Sequence, residues 1–144
     1  MSIWHSDAIE LAQFDKIGAA TMPGFLGIEF IERGDDWVKA RMPVNARTHQ
    51  PFGRLHGGAS VAFAETVASM AGSMTVDPTK QLVVGQEINA NHIRPVRDGF
   101  VYATAKAEAL GRSSQVWTIR IESEEGKLVC LSRITLAVIA LDRA

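Results

Sequence analysis

One cysteine, Cys130, stands in 144 residues, which excludes an internal disulfide and fits a reducing compartment. Charge of one sign is also missing: 15 Lys and Arg stand against 16 Asp and Glu, a formal net charge of -1. Such a balance provides no broad field for holding nucleic acid or an anionic membrane. The opening MSIWHSDAIELAQFDK mixes acids, His and Lys with scattered apolar side chains, unlike the basic start and apolar stretch of an export signal. No uninterrupted apolar run approaches the length of a bilayer span. The expectation is a cytoplasmic protein with no nucleic acid and no membrane as partner. No G-x-S-x-G elbow, P-loop or dinucleotide fingerprint is present. His49 and His56 are seven residues apart with no compact ligand group beside them, which matches no zinc spacing. Neither a metal nor a cofactor is expected.

What is present suits one domain over residues 1–144, since a 47% hydrophobic chain of this length can bury a single core. Asp7 and Glu10 have the spacing of a capping box and Gly18 offers a stop, so a short helix is predicted over 7–17. Residues 25–33 and 37–44 read as a hairpin about the turn Gly34-Asp35-Asp36. Residues 45–54, with Pro51 and Gly53, form a loop. The stretch 55–76, LHGGASVAFAETVASMAGSMTV, is small or apolar on nearly every face, the pattern of a buried helix. Strand-like segments follow at 81–92, 100–109, 115–123 and 128–141, read as four consecutive antiparallel strands. In the second of these, Val101, Ala103, Ala105, Ala107 and Ala109 share one face, a surface against which a helix packs closely. The fold class is therefore α+β, one antiparallel sheet curled around a long central helix.

Glu65 is the only formal charge on that helix. A carboxylate withdrawn from water without a partner costs several kcal/mol or keeps its proton, so it marks a task, a helix edge facing water, or a structural bond to a strand. His56-Gly57-Gly58 opens the same helix. Free N–H groups at a helix start stabilise developing negative charge and glycine admits a substrate to the backbone, although glycines also mark tight turns. Gln50 in the preceding loop both donates and accepts, which suits holding a water or a carbonyl as well as plain solvation. Gly57 and Glu65 lie eight residues apart, or about 12 Å along a helix. One carbonyl cannot touch both, so a shared site needs the glutamate of a second subunit, hence a two-fold dimer with sites at its interface. Cys130 falls in a strand pattern and reads as a small core residue.

The stretches QPFGRLHGGASVAFAETVASMAG from Gln50, VVGQEINANHIRPVRDG from Val83 and GRSSQVWTIRIESEEGKLVCLSR from Gly111 resemble hotdog-fold thioesterases of the phenylacetate-degradation type. They are similar above all to those acting on 1,4-dihydroxy-2-naphthoyl-CoA in menaquinone biosynthesis and to those proofreading aryl carrier protein in enterobactin synthesis. The resemblance implies hydrolysis of an acyl-CoA, aromatic in preference, such as dihydroxynaphthoyl- or hydroxybenzoyl-CoA, without a cofactor. It implies that the Gly57 N–H polarises the thioester carbonyl, that Glu65 is nucleophile or general base, and that His56 and Gln50 hold thioester and water. Ser69, one turn beyond Glu65, orients it or packs the helix. Gly85, His92, Ile93 and Arg94, with the Gly111-Arg112-Ser113-Ser114 turn, become contacts to CoA on neighbouring strands. Phe63, Met70 and Met74 are expected to shape the acyl pocket. The resemblance further implies a homotetramer built as a dimer of dimers, and a carrier-protein thioester as an alternative substrate. A noncatalytic acyl-CoA binding protein and a hotdog hydratase are the rival readings.

Overall fold

The inward alternation of the strands decides which face of the sheet is covered. In the computed structural model, which describes residues 1–143 and so leaves Ala144 of the expected domain outside the described residues, β1 (Glu29–Arg33) and β2 (Trp37–Pro43) form the expected hairpin. Val38, Ala40 and Met42 of β2 are fully buried, while Trp37, Lys39 and Arg41 remain partly exposed. The long helix, numbered α3 after two short ones, spans Gly57–Met74. Four strands follow: β3 (Gln81–His92), β4 (Phe100–Leu110), β5 (Ser114–Ser123) and β6 (Leu128–Ala140). The order across the six-stranded sheet is β1-β2-β4-β5-β6-β3, with every pairing antiparallel.

That order corrects one feature of a plain four-strand run. β3 pairs with β6 alone, at the far edge, and residues 93–99 carry the chain back across to β4. This crossing segment is tied down at its start, middle and end: Ile93 N–H donates to the Val129 carbonyl, Leu55 N–H to the Val96 carbonyl and Val44 N–H to the Gly99 carbonyl, each at 2.8 Å. It therefore locks the end of β3 to the loop that enters α3.

Two boundaries near the N-terminus also differ from expectation. The helix predicted over 7–17 begins only at Ala12, as α1 (Ala12–Gly18), with no side-chain cap. The Asp7 carbonyl accepts from Arg33 and the Glu10 carbonyl from Gln13 N–H, both through backbone oxygens, so neither residue of the expected capping box caps the helix with its side chain. Phe25 lies not in a strand but in α2 (Met22–Leu26). Pro23 suits a helix start, and Gly27, at φ 77°, ends it in a left-handed turn that a side chain disfavours.

α3 lies in the concave face of the sheet. Phe63, Ala64, Val67, Ala68 and Ala71 are fully buried there, against Val101, Ala103, Ala105, Ile119 and Ile121. The alanine row of β4 serves the helix only as far as Ala105; a bulge between Ala107 and Ala109 follows and Ala109 is exposed. Cys130 is fully buried in this core, where burial pushes its thiol pKa up. α3 is not enclosed all round, as its pattern suggested. Ala62, Glu65, Thr66, Ser69, Met70 and Ser73 form a half-buried outer stripe. Ala103→Leu, which forces a larger side chain under the helix, is expected to cost about 1–3 kcal/mol, read from the urea midpoint at unchanged m-value.

Candidate active site

α3 begins where it does because His56, in extended conformation, caps it: the imidazole Nδ1 accepts from Gly58 N–H at 2.7 Å. The acceptor role requires the proton on Nε2. Ala59 and Ser60 N–H both reach the His56 carbonyl. Gly57 N–H donates to no group among the described residues, so one donor at the positive end of the helix stays available. A methyl at Gly57 would stand 2.8 Å from His92 Nε2, so the missing Cβ is what lets this ring lie against the helix start. Gln50, Gly57, Ser60, His92, Ile93 and Arg94 line one cleft of about 310 Å³. The Gln50 side-chain oxygen Oε1 accepts from Phe52 N–H, which leaves the side-chain N–H₂ to face a ligand. Ser60, nearly fully buried, was missed from the sequence, yet its i+3 spacing from Gly57 marks the same helix face.

Glu65 is not in that cleft. Its side chain is half-buried on the outer stripe of α3 and rests against the backbone of β3 at Gly85. A Cβ at position 85 would overlap Glu65 Oε2 and lie 3.2 Å from Cδ, so the glycine is what admits the carboxylate. β3 is irregular at this point, with a bulge between Gly85 and Glu87. Among the described residues nothing donates a hydrogen bond to Glu65, Ser69 included, although Ser69 shares its stripe. Phe63, expected near the acyl group, is fully buried and belongs to the core.

The two groups of expected CoA contacts are not on neighbouring strands. β6 separates β5 from β3; His92 pairs with Cys130 of β6, whereas Ser114 pairs with Ala137. Those positions are seven residues apart, about 23 Å along a strand. Gly111, Arg112, Ser113 and Ser114 form an exposed turn whose Ser113 carbonyl accepts from Val138 N–H, at the end of the sheet where Val84 and Gly85 lie. The expected site residues thus fall into two separate groups on one chain: Gln50, Gly57 and His92–Arg94 at one end, Glu65, Gly85 and the Arg112 turn at the other. His56→Ala, by removing the cap, is expected to cost about 1 kcal/mol of stability, measured by urea unfolding.

Comparison with known proteins gives this geometry a family. Residues 52–130 match the thioesterase superfamily model. The 1,4-dihydroxy-2-naphthoyl-CoA hydrolase of Escherichia coli K12 is 49% identical over 131 residues, covering 91% of this chain and 96% of that protein. A proofreading thioesterase, EntH, of Cronobacter turicensis is 48% identical over 128 residues, covering 89% and 93%. The crystal structure of a glutamine-to-alanine mutant of a Pseudomonas aeruginosa thioesterase superposes with a TM-score of 0.95 at 44% identity, over 97% of this chain and 100% of that one. With the antiparallel sheet around its central helix and this match over most of its length, the chain belongs to the thioesterase superfamily, as a hotdog-fold thioester hydrolase.

Proposed function

We propose that the whole chain acts as one domain that hydrolyses an aromatic acyl-CoA, at sites each built from the Gly57 end of one copy and the Glu65 side of another. One observation carries this reading: an unpartnered N–H and an unpartnered carboxylate sit on the same helix, eight residues apart, too far for one carbonyl at about 12 Å. The packing of α3 on β3 supports the same arrangement. His92 lies against Gly57 and Gly85 against Glu65, and the outer edge of β3 has no strand beside it. Antiparallel pairing of β3 with its copy about a two-fold axis near Ile88 and Asn89 brings Gly85 of one protomer opposite the partner's His92. Each Glu65 then faces the Gly57 N–H of the other helix. The exposed edge is of the kind that natural sheets pair or cover, and two such dimers make the expected tetramer.

In this site the Gly57 N–H donates to the thioester oxygen and stabilises the negative charge that grows there as the carbonyl carbon becomes tetrahedral. Glu65 either attacks that carbon, forming a mixed anhydride that water then opens, or takes a proton from the attacking water. In both routes the C–S bond breaks, the sulfur leaves as the CoA thiolate, and the oxygen of water ends in the acid. Gln50 and the free Nε2–H of His56 hold the carbonyl and the water. Arg94, Ile93 and His92 of one copy, with the partner copy's turn from Gly111 to Ser114, bind the CoA arm, and Ser69 lines the path beside Glu65.

The similarity to a dihydroxynaphthoyl-CoA hydrolase supports an aromatic acyl group, 1,4-dihydroxy-2-naphthoyl-CoA being the first ester to try. A second reading, an aryl group on a carrier-protein phosphopantetheine, is favoured by the similarity to the proofreading enzyme. The lone buried thiol of Cys130 suits a cytoplasmic setting. The test is thiol release from aryl-CoA esters by wild type, Glu65→Ala and Gly85→Ala. Glu65→Ala is expected to lower kcat by about 10³-fold, and Gly85→Ala, which displaces the carboxylate, by about 10²-fold. Normal turnover in Glu65→Ala refutes the assignment.

A further inference from the structure

The loop before α3 folds back on itself as a small hairpin that carries Gln50. His49 and Leu55 form an isolated antiparallel bridge. Beyond it Gln50 N–H donates to the Arg54 carbonyl at 2.7 Å and Gly53 N–H to the Gln50 carbonyl at 3.0 Å, closing a turn that contains Pro51 and ends at Gly53 with φ 79°. The base of this hairpin is anchored in the core. Thr48 is almost fully buried, its hydroxyl donating to the Pro43 carbonyl at 3.0 Å and its own carbonyl accepting from His56 N–H at 2.7 Å. The tip has no such anchor, since Pro51, Phe52 and Gly53 are all exposed.

One side chain reaches from the hairpin to the opposite wall of the cleft. Gln50 lines one wall, and His92, Ile93, Arg94 and Pro95 line the other. His49 Nε2 lies 2.8 Å from the Arg97 carbonyl. A carbonyl only accepts, so the ring donates from Nε2. Among the described residues this is the only hydrogen bond between residues 45–54 and the crossing segment 93–99. Its acceptor is firmly held, because the carbonyls of Val96 and Gly99 on either side of Arg97 accept from Leu55 and Val44 N–H. We infer that His49 is a positioning residue for the hydrolysis: its ring clamps the hairpin to the crossing segment and so keeps the side-chain N–H₂ of Gln50 at the cleft beside Gly57. The inference rests on Gln50 as a group that holds the carbonyl or the water. Without the clamp the hairpin swings outward from its Thr48 base. Ile93 and Arg94, whose N–H groups both donate to the Val129 carbonyl, keep their place, so the loss falls on kcat and not on KM.

The experiment measures kcat and KM on benzoyl-CoA for wild type, His49→Ala, His49→Asn, His49→Gln, Gln50→Ala and the double variant His49→Ala with Gln50→Ala. The amide nitrogen of Gln reaches as far as imidazole Nε2, whereas that of Asn reaches only the Nδ1 position. His49→Ala and His49→Asn are expected to lose about tenfold in kcat with KM unchanged, and His49→Gln to recover most of it. In the Gln50→Ala background, His49→Ala should cost nothing further. Full kcat in His49→Ala beside an impaired Gln50→Ala, no recovery in His49→Gln, or losses that multiply in the double variant overturn the inference. Normal turnover in Gln50→Ala would instead refute the role of Gln50 on which it rests. Amide exchange followed by NMR reads the clamp apart from turnover. Gln50 N–H should exchange faster in His49→Ala and at the wild-type rate in His49→Gln, and an unchanged rate in His49→Ala contradicts the clamp.

Discussion

The contact of α3 with β3 governs what this molecule can do. At its two ends a glycine replaces a side chain, Gly57 against His92 and Gly85 against Glu65. Each missing Cβ lets backbone and functional side chain come within van der Waals distance. Between these points the helix is a rigid spacer, because its fully buried face, from Phe63 to Ala71, is held in the concavity of the sheet. A donor and a carboxylate fixed about 12 Å apart on one rod cannot be brought together by flexing the chain. In the proposed site they meet through a two-fold symmetry operation.

The rest of the fold serves to hold that rod and leave it accessible. Small side chains at Ala103 and Ala105 bring β4 close to the helix, and the crossing segment after His92 ties the end of β3 to the loop before α3. At the other end Gln115 is almost fully buried, donating to the Thr75 hydroxyl at 2.8 Å and accepting from the Trp117 indole at 2.9 Å. This chain of polar contacts closes the helix C-terminus beneath Trp4, which stacks on Trp117. What remains open is the outer stripe of α3 and the edge of β3, the two surfaces a second copy would cover.

Much of this was legible in the sequence. Alternation in β2 and β4, the turn residues Gly34-Asp35-Asp36, and a helix with one charge gave the architecture, because each is a local signal with a fixed period. The candidate residues were legible by type and spacing, and the separation of Gly57 from Glu65 implied a dimer on the condition that one site uses both. The lateral position of β3 was not, since a strand pattern says nothing of its neighbours in the sheet. Nor was the short helix at Met22–Leu26, where Pro23 and Gly27 override a run of apolar residues. The roles of Gly57 and Gly85 as clearances for His92 and Glu65 appear only when the partners are known.

Subunit mixing tests the central claim most directly. Gly57→Pro removes the N–H at the first helical position, where proline suits the helix backbone although its ring displaces the His92 side chain, and Glu65→Ala removes the carboxylate; each variant alone should be inactive. Refolded together in equal amounts, half of the dimers are mixed and each mixed dimer holds one intact site, so about a quarter of wild-type activity should return. A mixture that stays inactive although mass spectrometry finds the mixed dimers would contradict a site shared between two copies.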